Sequence, residues 1–174
     1  EIENKILTNA VITPCLFSNC TYLQTVINDN NNLLIGEYAF SNCSHLEKII
    51  GNGTIDVIKT GAFFNCFSLK EVNFKFTNFI AKKSFENCLG LSSLYFGTDD
   101  ITIEPGAFKG CINLHTLFCE NINTINYLFE LNILSDSRIT EIYIFKEFAN
   151  EFQIKHPEFV PIKSTQNGFQ LFKR

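Results

Sequence analysis

Seven cysteines and three histidines are the side chains here with the most chemistry to offer. Thiolates and imidazoles gather zinc when two of them lie a few residues apart, and thiols pair only when their Cα atoms come close. Cys20, Cys43, Cys66, Cys88 and Cys111 do neither by spacing, because successive members are 23, 23, 22 and 23 residues apart and no Cys-x-x-Cys pair occurs. Cys15 and Cys119 stand off this series, Cys15 at a Gly-like position where some exposure is expected. His45, His115 and His156 fall at unrelated places, and no Ser or Cys has an evident His and carboxylate partner. Asp99-Asp100 reads as a solvated loop rather than an acid/base pair, and there is no glycine-rich phosphate loop. The expectation is no catalytic residue, no metal site and no cofactor. Asn19, Asn42 and Asn52 open Asn-x-Ser/Thr sequons. The first two follow from a recurring Asn-Cys-Ser/Thr pattern, which leaves Asn52 as the loop candidate for a glycan.

The even spacing is the informative signal. Phe17, Phe40, Phe63, Phe85 and Phe108 keep step with the cysteines. So do Leu23, Leu46, Leu69, Leu91 and Leu114, and Ile12, Ile35, Ile58, Ile80 and Ile103, with Ile125 opening a further rung. Four columns in phase over five copies define a repeat of about 23 residues, one strand and one turn per coil of a solenoid.

Each column has a physical reading. Pro14 and Pro105 sit near the start of a segment that reads as one helical turn, where a missing N–H costs little. Leu16, Ala39, Ala62, Ser84 and Ala107 are mostly small, as close packing between turns requires. Asn19, Asn42, Asn65, Asn87 and Gly110 precede the cysteines. Asn and Gly tolerate a left-handed backbone, so this column ends the turn. The Cys column packs inward as a small hydrophobe. After Leu comes a strand of alternating character, clearest in Leu69–Phe74, Leu91–Phe96 and Leu114–Cys119. Its inward residues are Val72 and Phe74, Leu94 and Phe96, Leu117 and Cys119.

The ends are irregular. Ile2–Leu7 resembles the remains of an earlier strand, and a chain with no Met that opens on Glu1 reads as a processed product or a fragment of a longer array. Ile139–Phe145 reads as a last strand, followed by a helix over Lys146–Lys155 with Phe148 and Phe152 on one face, stopped by Pro157. Gly168–Phe172 adds an extended piece. The expected division is a repeat solenoid over residues 1–145, with five clear rungs and a degenerate last one, and a capping helix and tail over residues 146–174.

A formal charge of −4, with no basic run longer than Lys82-Lys83, gives no pull toward nucleic acid. No apolar run is long enough to cross a membrane.

The unit I-x-x-x-A-F-x-x-C-x-x-L-x-x-I, read in IGEYAFSNCSHL and its four companions, resembles the BspA-like, or treponemal-type, leucine-rich repeat. The resemblance covers about Ile12 to Ile144 and departs from the family in lacking the Pro after each strand. It implies an α/β solenoid, a right-handed leucine-rich repeat coil with a parallel sheet on one face and short helical turns on the other. It implies no enzyme activity in the repeat itself. It also implies that some relatives are cell-surface or secreted proteins that attach to host or matrix proteins, while others are internal.

The outward side of the sheet is the candidate binding face. One outward position per strand gives Ile27, Ile50, Asn73, Tyr95, Phe118 and Tyr143. Beside them runs a polar column, Thr25, Lys48, Glu71, Ser93, Thr116 and Glu141, with Lys48 and Glu71 on the rim. An aromatic stripe with a polar rim has the composition of a protein-binding surface. The expected function is a non-enzymatic protein–protein interaction module, part of a cell-surface or secreted adhesion protein. The open alternative is a structural spacer or intracellular scaffold with no specific ligand, since strands favour Ile, Tyr and Phe in any case.

Overall fold

The structure, a computed structural model, describes residues 5–7, 10–30, 32–166 and 168–174. In chain order the elements are β1 (Lys5–Leu7), β2 (Val11–Ile12), β3 (Thr25–Ile27), β4 (Leu33–Ile35), β5 (Lys48–Ile58), β6 (Glu71–Ile80), β7 (Ser93–Phe96), β8 (Thr102–Ile103), β9 (Thr116–Cys119), α1 (Ile122–Glu130), β10 (Glu141–Phe145), α2 (Ala149–Lys155), β11 (Val160–Gln166) and β12 (Phe169–Lys173). The early strand expected over Ile2–Leu7 is seen from Lys5 onward, and Ile2 lies outside the described residues.

The strands stack as a parallel β-solenoid with two ladders. On the first face the order is β1-β3-β5-β6-β7-β9-β10, continued by the antiparallel hairpin of β12 and β11. The second ladder runs from β2 through β4 and the far ends of β5 and β6 to β8. The Ile column forms its inner side: Ile12 pairs with Ile35, Ile35 with Ile58, Ile58 with Ile80 and Ile80 with Ile103, all of them buried. The sequence shows this column only as core, because a two-residue strand is too short to alternate visibly.

The turn of each coil is a chain of i→i+3 bonds, such as Ser18 N–H to Cys15 O at 3.1 Å and Cys20 N–H to Phe17 O at 3.0 Å. Two left-handed columns keep it from propagating as a helix. Asn19, Asn42, Asn65, Asn87 and Gly110 have φ of 62, 60, 60, 64 and 74°, at the position expected. Four residues earlier Cys15, Tyr38, Gly61, Lys83 and Gly106 are left-handed as well.

Inside, the columns become ladders. The Phe rings stack face to face from Phe17 to Phe108, with centroids 5.3, 5.3, 5.1 and 5.3 Å apart. Each inner thiol donates to the carbonyl of the Phe one coil back: Cys43 to Phe17, Cys66 to Phe40, Cys88 to Phe63 and Cys111 to Phe85, at 3.0–3.2 Å. Along the turn edge the Asn side chains make their own ladder. Asn42 donates to Asn19, Asn65 to Asn42 and Asn87 to Asn65, at 3.1, 3.0 and 2.9 Å. A cysteine fits its column because it is small and apolar, and its thiol adds a weak second donor to a Phe carbonyl that already accepts a backbone N–H, as Phe40 O does from Cys43 N–H at 3.1 Å.

The C-terminal end departs from the repeat. Ile125 opens no strand. It is buried within α1, which stands where a further coil would place its second strand and turn. Asn121 caps α1 by accepting from Asn123 N–H at 2.8 Å. β10 still extends the first ladder, pairing with β9 from Glu141 to Ile144. A 3-10 turn over Lys146–Phe148 then leads into α2. α2 buries Phe152 against Phe172 of β12, while Phe148 is half-buried. The helix closes at Lys155, before Pro157.

Candidate functional site: the outward face of the first ladder

Strand alternation sets the two sides of the first ladder. Val72, Phe74, Leu94, Phe96, Leu117 and Cys119 point inward and are buried. Ile27, Ile50, Asn73, Tyr95, Phe118 and Tyr143 therefore face outward, all half-buried except Asn73, which is exposed. Register aligns them in two groups. Ile27, Ile50 and Asn73 are direct neighbours, and so are Tyr95, Phe118 and Tyr143. The three rings stack, with centroids 5.7 Å apart for Tyr95–Phe118 and 4.5 Å for Phe118–Tyr143.

Between the groups the ladder is interrupted. β6 and β7 pair at Phe76 and Phe96 alone, whereas the repeat columns align Phe74 with Phe96. β6 therefore spends two more residues than β7 on the same climb. The carbonyls of Gln24, Glu47, Ser92 and His115 each accept two N–H groups from the next coil. Lys70, the equivalent residue at this junction, accepts none among the described residues. The strands splay, and a hollow of about 390 Å³ opens, lined by Asn73, Lys75 and Tyr95 with the Gly51–Thr54 corner of β5. A second hollow of about 390 Å³ adjoins it over Ile27, Ile50, Lys48, Glu71 and Asp29. Together, sharing Gly51, Asn52 and Asn73, they make a groove along the Ile27–Tyr95 part of the stripe.

The groove is polar at one wall. Glu120, buried in the loop after β9, accepts from Lys75 Nζ and Tyr95 Oη, both at 2.7 Å. Lys75 Nζ also lies 5.2 Å from the Tyr95 ring centroid. Burial first, then Glu120, holds the Tyr95 phenol well above its usual range. Nothing in the repeat pattern marks Glu120, since it falls in a loop after the strand columns. Lys48 and Glu71 sit on the rim as a half-exposed ion pair at 3.7 Å, worth little in stability. Of the polar column, Thr116 is buried, its hydroxyl 2.9 Å from His115 Nδ1, and Glu141 is tied to Lys173 at 2.7 Å.

The aromatic end is roofed from within. Phe169 of β12 meets Tyr95 and Phe118 edge-on, at 6.1 and 6.3 Å, and packs on Phe145 at 4.6 Å. Phe118 and Tyr143 line neither hollow.

The other chemical candidates are placed as follows. Cys43, Cys66, Cys88, Cys111 and Cys119 are buried free thiols, while Cys15 and Cys20 are exposed. Burial raises the Cys43 and Cys111 thiols to about 12. No cluster of three metal-ligating side chains occurs among the described residues. Asp100 accepts from Asn121 Nδ2 at 2.9 Å, in an exposed loop. The side chains of Asn19 and Asn42 belong to the Asn ladder, whereas Asn52 is exposed at the groove.

A family model described as the BspA type leucine rich repeat region matches in six copies, over residues 2–115 and 35–153. The chain belongs to the BspA-type leucine-rich repeat family. Among solved structures, this BspA-type array is similar to a leucine-rich repeat protein from Bacteroides ovatus, at 25% identity and a TM-score of 0.53. The match covers 82% of this chain and 42% of that one, so the array spans less than half the length of its structural relative. No curated protein matches it. Repeats of this family make modules of the protein-interaction type and are typically non-enzymatic. Among the described residues no helix is long and apolar enough to cross a membrane.

Proposed function

We propose that the outward face of the first ladder binds a protein partner, with Ile27, Ile50, Asn73, Tyr95, Phe118 and Tyr143 as the contact stripe and Lys48 and Glu71 on its rim. The observation that carries this reading is the groove, because two adjoining hollows of about 390 Å³ lie over Ile27, Ile50, Asn73 and Tyr95 of the stripe. A partner side chain entering at Tyr95 meets an aromatic ring, a lysine and two amides on a preorganised floor, which keeps the ordering cost of binding low. The division into an array to Phe145 and a cap from Lys146 belongs to the same proposal, with Phe169 of the cap bracing the aromatic end. In the parent protein the module serves adhesion, at the cell surface or after secretion, toward host or matrix proteins.

One observation favours a second reading. Phe169 already covers part of the aromatic stripe, as expected of a spacer whose face is closed by its own C-terminal strand.

The test is a pull-down with mass spectrometry from source and host-cell extracts. The native chain runs beside Ile50→Ser/Tyr95→Ser/Phe118→Ser, and beside Asn73→Arg, which disturbs no core packing. Circular dichroism verifies that both variants fold. A partner held by the native chain and lost by both variants supports the groove. Identical capture by all three, or none by any, leaves the spacer.

A further inference from the structure

The groove holds two neighbouring residues whose order suits a reaction within the chain. Asn52 is exposed, lines both hollows and is followed directly by Gly53. The sequence has one other Asn-Gly pair, Asn167-Gly168, and Asn167 lies outside the described residues. An Asn side chain closes on the next backbone nitrogen where the following residue carries no side chain and the backbone is free to turn. The ladder Asn residues meet neither condition. Asn42 and Asn65 hold their amides in side-chain bonds, and each is followed by a cysteine.

At Asn52 the strand pairing leaves that freedom. β5 and β6 align Ile50 with Asn73 and then Thr54 with Lys75, so three residues of β5 stand opposite Phe74 alone. Gly51, Asn52 and Gly53 have no register partner on the β3 and β4 side either. Both ends of this bulge are held. A Cβ at Gly51 would lie 1.8 Å from Asn28 O, so the chain is close-packed there. Thr54 Oγ1 accepts from Asn32 N–H at 3.1 Å and donates to Asn32 Oδ1 at 3.3 Å. The slack falls on the Asn52–Gly53 pair.

We propose that Asn52 is a self-modification site, which deamidates through a cyclic imide and recharges the groove. The Gly53 nitrogen gives its proton to solvent hydroxide and attacks Asn52 Cγ. The N–Cγ bond forms, the Cγ–Nδ2 bond breaks, and ammonia leaves after taking a proton from water. Water then opens the ring. Addition at Cγ restores the original chain with an aspartate at this position. Addition at the main-chain carbonyl carbon leaves the chain running through Cγ, as isoaspartate. Nothing is oxidised or reduced, and a water is consumed for each ammonia released. The consequence is electrostatic. Asp29 and Glu71 line the hollows together with Lys48 and Lys75, so carboxylates and ammonium groups balance. Either product adds a carboxylate at a residue both hollows share, and the lining becomes anionic. Isoaspartate also lengthens the main chain between the two held ends. The reaction needs no partner, and only its effect on binding rests on the groove reading above.

Asn73 is the internal control. It is exposed and lines the same two hollows, but it pairs with Ile50 and precedes Phe74. The full chain, made in a host that attaches no N-glycan, is held folded at pH 8 and 37 °C. Tryptic peptides over residues 49–59 and 71–75 are followed by mass spectrometry that separates aspartate from isoaspartate. The expected result is acid at Asn52 forming faster than at Asn73 by about tenfold or more, since Asn73 reacts only after its ladder opens. Isoaspartate is expected among the products, and Gly53→Ala is expected to slow Asn52 while leaving Asn73 unchanged. Equal rates at Asn52 and Asn73 overturn the proposal. Aspartate formed without isoaspartate shows direct hydrolysis and overturns the ring closure, a result that needs no variant to fold. An unchanged Asn52 rate in folded Gly53→Ala overturns it as well.

Discussion

Cys66 donates its thiol to the carbonyl of Phe40 across 3.1 Å, and the carbonyl it meets belongs to the coil before its own. That carbonyl already accepts Cys43 N–H at 3.1 Å, so the thiol adds a weak second donor that alanine or valine would lack. The same group is thereby kept out of thiolate chemistry, since burial raises its ionisation far beyond the physiological range. Ellman's reagent at pH 8 is expected to titrate two thiols of the native chain quickly, Cys15 and Cys20, and the other five only on unfolding. Cys66→Ala is expected to cost about 1–3 kcal/mol by urea denaturation, from a lost contact and a small cavity.

The Asn ladder separates two effects in one position. Asn65 holds φ at 60° and accepts from Asn87 while donating to Asn42. Asn65→Gly keeps the backbone and loses the bonds, at an expected cost of about 1 kcal/mol. Asn65→Ala loses both and adds left-handed strain of about 1–2 kcal/mol more. Equal urea midpoints for the two variants would show that the turn does not depend on its left-handed residue.

Columns of this kind made the fold legible, because a property repeated five times at one spacing leaves few architectures. Cys, Phe, Leu and the residue before Cys were each readable as a ladder or a turn end. Alternation after Leu69, Leu91 and Leu114 gave the outward face. What does not repeat was hidden. The splay at β6 arises where Phe74 and Phe76 both turn inward opposite the single Phe96, and Glu120 and Phe169 reach the face from outside the repeat. α1 carries a legible cap at Asn121, but the in-phase Ile125 masks it.

Gly61 and Gly106 share a left-handed backbone, with φ of 62 and 78°, but differ in what surrounds them. A Cβ at Gly61 would lie 2.3 Å from the Tyr38 ring, whereas one at Gly106 meets nothing within 4 Å. Gly106→Ala is expected to cost the strain alone, about 1–2 kcal/mol. Gly61→Ala is expected to cost more, with the excess removed in the Tyr38→Ala background. An excess that persists in that background would place the clash elsewhere.

His156 gives the cap a pH dependence. Its Nε2 lies 3.2 Å from Asn126 Oδ1, and its ring packs on Phe129 and Phe152, at 4.7 and 4.8 Å. Burial lowers its pKa below the ordinary 6.5, outweighing Glu158 and Glu130, which favour the cation, while Lys155 opposes it. The folded state therefore prefers neutral imidazole. This contribution is complete above pH 6.5 and is lost as the pH falls below it. Melting temperature should drop between pH 7.5 and 5, and His156→Gln should flatten that part of the profile relative to the native chain.

The last prediction concerns the groove wall. Glu120 is the buried carboxylate on which Lys75 and Tyr95 converge, so it fixes two of the side chains that line the hollow. Glu120→Gln keeps an acceptor for the phenol but removes the charge that opposes its ionisation. Tyr95 should then titrate at lower pH, seen as an earlier rise in absorbance at 295 nm that Tyr95→Phe abolishes. Lys75 is half-exposed, so the stability lost should be modest, about 1–2 kcal/mol. If partner capture falls for Glu120→Gln while the fold holds, the wall acts by positioning Tyr95. Unchanged capture alongside a shifted titration would confine binding to the Ile27–Asn73 half of the stripe.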